Sequence, residues 1–237
     1  MPANDSAATH SARTTPAAAG VPTLHVRDLA FRYGRDPVWQ SVSFDVHPGE
    51  AAFLVGDNGS GKSTLLRCLA GWAQPDAGVI ELCGTPLDPR SRSQRRFVSF
   101  VPDTPSFYDD LTAAEHLRFA LAANHLPADD DAIDAHLGTF GLLNAKNRYP
   151  SSYSRGMRQK LALALAFLLK PRLLLLDEPH GPLDRRAADA LGTLCNQART
   201  RGAALIISCH HDAPQLKPDL VISLNEEGAR IERGRSA

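Results

Sequence analysis

The chain has little of what would place it in a class at a glance. It carries four cysteines, and Cys68, Cys83, Cys195 and Cys209 form no Cys-x-x-Cys pair. Such scatter argues against a disulfide frame or a cysteine zinc site and suits buried, reduced thiols. Net charge is missing too, because 26 Lys and Arg balance 26 Asp and Glu. Nothing suggests electrostatic capture of a polyanion, and no nucleic acid is expected as a partner. Long apolar runs are also absent. "LALALAFLL" runs nine residues and stops at Lys170, too short to cross a bilayer and suited to a buried helix. The first 22 residues, rich in Ala, Ser, Thr and Pro, lack the continuous apolar centre of a secretory signal. They are expected to be a disordered tail (1–22) ahead of one domain, 23–237.

What is present alternates between strand and helix. "TLHVRDLAFRYG" and "WQSVSFDVHPGE" read as strands of a small antiparallel layer. "AAFLVG" is a buried strand running into a glycine-rich loop, with "GKSTLLRCLAGWA" the helix that leaves it. "VIELCG" and "RRFVSFVPD" hold further strands. Thr112-Ala113-Ala114-Glu115 forms a capping box and opens a helical stretch. From about 105 to 165 no strand-like run occurs, so this stretch is expected to be a helical insertion. "RLLLLDEP" and "AALIISCHH" are central strands around the helix "DRRAADALGTLCNQARTRG", and "DLVISLNEEGARIERG" ends in a short hairpin. Four leucines in a row signal burial on both faces, as in a parallel sheet. The expected fold is α/β, a parallel-sheet core with an N-terminal antiparallel β subdomain and a helical insertion; the loop "GDNGSGKST" resembles that of P-loop NTPases, which implies a core of RecA type.

Gly56-Asp57-Asn58-Gly59-Ser60-Gly61-Lys62-Ser63 fits G-x-x-x-x-G-K-[ST], between a strand and a helix. Glycines let the backbone curl so that successive N–H groups face phosphate oxygens, Lys62 reaches the outer phosphates, and the Ser63 hydroxyl suits Mg2+. The candidate nucleotide contacts are Gly56, Asn58, Gly59, Gly61, Lys62, Ser63 and Thr64, and the expected cofactors are ATP and Mg2+. Asp177 and Glu178 end the four-leucine strand, at the sheet edge where ligands bind in such folds. Adjacent residues at a strand end point in different directions. Asp177 can therefore hold the metal through a water while Glu178 polarises an attacking water.

A second feature needs its own reason. "SSYSRGMRQK" places a serine and a glycine where a long helix begins, an end that can hold an anion or simply carry a serine N-cap. The order of phosphate loop, "YSRGM" before a helix and "LLLLDEP" after it resembles the ATP-binding subunit of ABC transporters, from about Leu24 onward. The family's signature is usually leucine-serine-glycine-glycine-glutamine; here it reads Tyr153-Ser154-Arg155-Gly156-Met157. The resemblance implies that two subunits pack head to tail, with Ser154 and Gly156 of one closing over the γ-phosphate held by Lys62 of the other. It implies that Tyr33 stacks on adenine, although a core tyrosine is the alternative. It also implies that Leu183-Asp184 crosses the dimer seam and that His210 contacts the γ-phosphate, with His211 an adjacent competitor.

Three positions depart from the family pattern. Asp103 stands where glutamine is usual and is assigned to the metal shell, with Ser63 and Asp177. Pro182 removes an N–H from the seam loop, and Arg155 adds a cation to the signature. The resemblance implies an ATPase at the cytoplasmic face of a membrane, working with a second copy of itself or a paralogue and with a separate integral membrane permease. Export is the expected direction and import the nearer alternative. A non-transport ATPase acting on nucleic acid or the ribosome is the more distant alternative. Phe107 and Tyr108, in "PSFYDDLT", are candidates to grip the permease, or else core aromatics.

Overall fold

The computed structural model describes residues 20–209, 216–225 and 227–234. Nearly all of the 1–22 tail lies outside the described residues, as do His210 and His211.

The antiparallel layer forms as its alternation dictates. β1 (Leu24–Tyr33) pairs with β2 (Asp36–Val46) and with β4 (Ala77–Leu82), both antiparallel, and β5 (Thr85–Pro86) adds a short edge. β3 (Ala51–Val55) feeds the glycine loop and α1 (Lys62–Leu69) leaves it. A four-residue helix, α2 (Arg92–Arg95), precedes β6 (Val98–Val101). Then come α3 (Ala113–Ala123), α4 (Asp130–Thr139) and α5 (Arg155–Leu168). The capping box at α3 is complete: the Thr112 N–H donates to the Glu115 carboxylate at 2.7 Å, and the Glu115 N–H donates to Thr112 Oγ1. β7 (Leu173–Asp177), α6 (Arg185–Thr200), β8 (Ala204–Ser208) and the hairpin β9 (Leu220–Asn225) and β10 (Gly228–Arg233) complete the order.

The strands form one sheet ordered β5-β4-β1-β2-β10-β9-β3-β8-β7-β6, with β9, β3, β8, β7 and β6 mutually parallel. The antiparallel layer is therefore continuous with the parallel core. Gly228 pairs with Ser41 at the junction, and a Cβ on Gly228 would lie 2.1 Å from the Ser41 carbonyl oxygen. Only a glycine lets β10 approach β2 this closely.

Burial on both faces follows from the four leucines. Leu173 and Leu175 pack in the core beneath α1 and the antiparallel layer, whereas Leu174 and Leu176 pack with α5 and α6. All four are fully buried, worth roughly 1.5–3 kcal/mol each against exposure. A third cluster joins α3, α4 and one face of α5 through Leu117, Ile133, Leu137 and Leu161. α5 thus belongs to both bodies: Leu161 and Leu168 face the helical group, and Leu163 and Phe167 face the sheet. An insertion boundary near 165 falls within this shared helix.

Candidate functional site

Strand register gathers the candidate residues. Leu54 pairs with Ser208, and Ser208 pairs with Asp177, so three parallel strands share one row. At about 4.8 Å per strand, the start of the glycine loop and the acidic pair emerge roughly 10 Å apart at one sheet edge. Val101 pairs with Leu176, which brings Asp103 to the same edge from β6.

The loop is curled and tightly packed. Gly56 and Gly61 have φ of 150° and 92°; a Cβ at Gly56 would meet Ser60 Oγ at 2.6 Å, and one at Gly61 would meet Val38 Cγ1 at 2.4 Å. Gly59, with φ of 87°, stands in open space, and Asn58 beside it is exposed. Lys62 is buried and its ammonium donates to the carbonyls of Gly56 and Asp57 at 2.7 and 3.1 Å. The charge therefore lies inside the curl, where an anion would meet it. Ser60 Oγ is buried without a hydrogen-bond partner among the described residues. Gly61 is the N-cap of α1 and brings no side-chain cap, leaving the first-turn N–H groups for a ligand. This cradle fits a polyphosphate. The hydroxyl of half-buried Ser63 and the carboxylate of Asp177 are hard oxygen donors of the kind Mg2+ takes.

Tyr33 is more than half exposed, its ring set edge-on to Phe31 and its hydroxyl 3.1 Å from Thr64 Oγ1. It is therefore no core tyrosine, and its hydroxyl places it beside the cradle.

Asp177 is buried and Glu178 follows it with φ of 46°, a left-handed conformation uncommon for glutamate. A residue not singled out in the sequence holds both. Ser208 Oγ donates to Asp177 Oδ1 at 2.6 Å and accepts from the Glu178 N–H at 2.9 Å. Its one sequence signal is a hydroxyl closing an otherwise apolar strand, "ALIIS".

At the second helix end the structure shows a serine N-cap. Ser154 is the N-cap of α5, its Oγ accepting from the Met157 N–H at 3.2 Å. Gly156 lies against the loop after Glu178, because a Cβ there would fall 2.7 Å from the Pro182 carbonyl oxygen. Asp184 caps α6 by accepting from the Ala187 N–H at 2.9 Å, and its other oxygen takes a hydrogen bond from Lys160. That ammonium, followed by the cap bond, holds the Asp184 carboxyl below the usual carboxylate range. Burial alone pulls the His180 imidazole downward in the same loop. Asp103 does not stand free for a metal here: its Oδ1 accepts from Arg155 Nη2 at 2.8 Å.

Beside this edge an apolar groove is lined by Trp72, Phe100, Phe107, Tyr108, His116 and Phe119. Phe107 packs into two core clusters, while Tyr108 and Phe119 are exposed.

The chain is similar to known proteins. The family model for ABC transporters matches residues 39–181. The cytochrome c biogenesis ATP-binding export protein CcmA of Aromatoleum aromaticum is 35% identical over 88% of this chain and 98% of its own. The sulfate/thiosulfate import ATP-binding protein CysA of Mycobacterium bovis is 39% identical over 70% of this chain and 48% of its own. A solved ATP-binding subunit of an ABC transporter superposes with a TM-score of 0.82 at 33% identity, covering 89% of this chain and 90% of the other. With phosphate cradle, acidic strand end and capped signature helix all in place, the chain belongs to the ABC transporter family, as one of its ATP-hydrolysing ATP-binding domains.

Proposed function

We propose that the chain dimerises head to tail around two ATP molecules and powers export through a separate membrane-spanning partner, at the cytoplasmic face of the membrane. The observation that carries this is the common row of Leu54, Ser208 and Asp177, which sets the phosphate cradle and the acidic pair on one edge. The signature helix end, Ser154 and Gly156, is a separate N–H-lined surface that serves the partner copy's nucleotide. The γ-phosphate between the two surfaces joins the copies, and its hydrolysis removes the charge that joined them.

Within each composite site, Gly56, Asn58, Gly59 and Gly61 form the cradle, with Thr64 at the start of α1, and Tyr33 offers its ring to adenine. Lys62 leaves its loop carbonyls for the β- and γ-phosphates. Glu178 orients a water in line with the γ-phosphorus, and Lys62 and the partner copy's signature serine offset charge on the transferring group. Mg2+, when bound by Ser63 and Asp177, would neutralise charge on the phosphate oxygens; Asp103 joins that set only by releasing Arg155. His210 is assigned to the γ-phosphate by resemblance and lies outside the described residues. Leu183-Asp184 borders the seam between copies.

Among the described residues no helix is long and apolar enough to cross a membrane, so the translocation path is assigned to a permease gripping the groove at Tyr108. The short helical insertion and the "YSRGM" signature favour export. The similarity to CysA keeps import as the second reading.

Mixing two inactive copies tests the composite site. Lys62→Ala removes the cradle charge, and Ser154→Asp retains a helix cap while repelling a phosphate. Mixed copies should recover ATPase activity because one intact site forms per heterodimer. Recovery no greater than in either parent would overturn the proposal.

A further inference from the structure

Three strands that build the reactive edge, β3, β7 and β8, contain two polar side chains, Asp177 and Ser208, and these two are bonded to each other. Everything else in those strands is apolar. A hydroxyl there has no packing advantage over a methyl group, and it must find partners to be tolerated. Ser208 finds two, and both belong to the acidic pair.

We propose that Ser208 is a positioning residue for ATP hydrolysis, one hydroxyl that sets the aim of both Asp177 and Glu178. The inference rests on the reading of those two carboxylates given above and assigns them a shared support. Ser208 Oγ donates its proton to Asp177 Oδ1 at 2.6 Å, which fixes the carboxylate plane and leaves Oδ2 outside that bond. The same oxygen accepts from the Glu178 N–H at 2.9 Å. That second bond holds the peptide at which the chain turns left-handed, at Glu178 with φ of 46°. Strained backbone of this kind persists where surrounding bonds over-determine it. Ser208 itself cannot wander, being fully buried and paired in register with Leu54 on one side and Asp177 on the other. The hydroxyl thus couples the direction of the metal-facing carboxylate to the direction of the water-facing one. Both of these hydrogen bonds go to the acidic pair, so Ser208 acts through its neighbours.

The test compares Ser208→Ala, Ser208→Cys and Ser208→Thr with Glu178→Gln in the full chain. Ser208→Ala should lower kcat by about 10- to 100-fold. Its affinity for metal-free ATP should stay within about threefold, since the cradle is untouched. Mn2+ affinity of the ATP complex, followed by electron paramagnetic resonance, should weaken by about tenfold. Ser208→Cys nearly conserves volume, so it should melt close to the parent yet share the kcat and Mn2+ losses. Ser208→Thr keeps the hydroxyl and should restore Mn2+ affinity. If Ser208→Ala and Ser208→Cys hydrolyse ATP and bind Mn2+ as the parent does, the inference is wrong. It is equally wrong if kcat falls only in step with melting temperature while Mn2+ affinity holds. Glu178→Gln separates the two levels: turnover surviving in that variant would overturn the reading of the carboxylates themselves. Loss there with a normal Ser208→Ala would remove Ser208 alone.

Discussion

Arg155 donates a hydrogen bond to Asp103 at 2.8 Å, tying the first residue of the signature helix to the loop that leaves β6. The two side chains carry opposite charges that offset one another. The pair is exposed, so its contribution to folding stability is at most about 1 kcal/mol. Its consequence lies in occupancy, since a carboxylate bonded to a guanidinium is a poorer ligand for a cation. Arg155→Ala should therefore lower the Mg2+ concentration for half-maximal ATPase activity by about two- to fivefold, and Asp103→Ala should raise it. In the double variant the gain from Arg155→Ala should vanish, because no carboxylate remains to be released. Additive effects in the Mg2+ titration would mean that Asp103 is outside the metal shell.

Gly156 and Pro182 meet where α5 approaches the loop between the acidic pair and α6. A methyl group on Gly156 would stand 2.7 Å from the Pro182 carbonyl oxygen, a backbone atom that cannot swing aside. Gly156→Ala should cost roughly 1–3 kcal/mol in urea unfolding through this overlap. It should also lower ATPase activity more than Gly138→Ala, where the added methyl meets nothing within 4 Å. Equal unfolding midpoints for the two variants would remove the close approach as the reason for glycine.

Much of this arrangement was legible because its causes are local. The glycine loop announces itself through backbone demands at Gly56 and Gly61, and four leucines cannot be buried on both faces without a covered sheet. The capping box at Thr112 is recognised within four residues, Thr112 to Glu115. What escaped depends on distant pairings. Ser208 meets Asp177 across 31 positions, and Arg155 meets Asp103 across 52; neither strand register nor side-chain direction is written in a single segment. The junction at Gly228 and Ser41 is of the same kind, and it makes one sheet of what alternation alone presents as two. The insertion boundary expected near 165 falls inside α5 for another reason. Helix α5 has apolar residues on two faces, so periodicity finds the helix without saying that it walls two cores at once.

Acid should weaken the fold through two histidines whose charging burial opposes. Burial lowers the pKa of His136 in α4, the bond to the Ala132 carbonyl opposing that shift and the Lys170 cation adding to it; burial likewise lowers His180. A histidine whose folded pKa lies below its unfolded value of 6.5 binds more protons when unfolded. Its contribution is fully present above that value and is lost as pH falls toward the folded pKa. The urea midpoint should hold between pH 7 and 8 and then drop from pH 6.5 to 5. The combined slope is at most about 2.7 kcal/mol per pH unit for two sites. Carboxylates such as Asp184, held low by Lys160, titrate beneath this window. His136→Gln should flatten the slope, and an unchanged slope would place its origin elsewhere.

The two aromatics of the "PSFYDDLT" segment have separate fates, and separate tests follow. Phe107 packs into both the sheet–helix and the helical clusters, its ring 5.4 Å from His116 in a T-shaped contact. Tyr108 stacks outward against His116 and meets Phe119 edge-on at 5.4 Å, with 57% of its surface exposed. Phe107→Ala should therefore cost about 2–3 kcal/mol of stability, less than a fully enclosed ring because Phe107 is only partly buried. Tyr108→Ala should leave the unfolding midpoint within about 0.5 kcal/mol, and basal ATPase activity of the purified subunit should not change. If the groove receives the permease, the same variant should lose co-purification with it, because aromatic side chains anchoring such pockets carry a large share of the binding energy. Retention of the permease by Tyr108→Ala and by Phe119→Ala alike would place the contact on another face of the molecule.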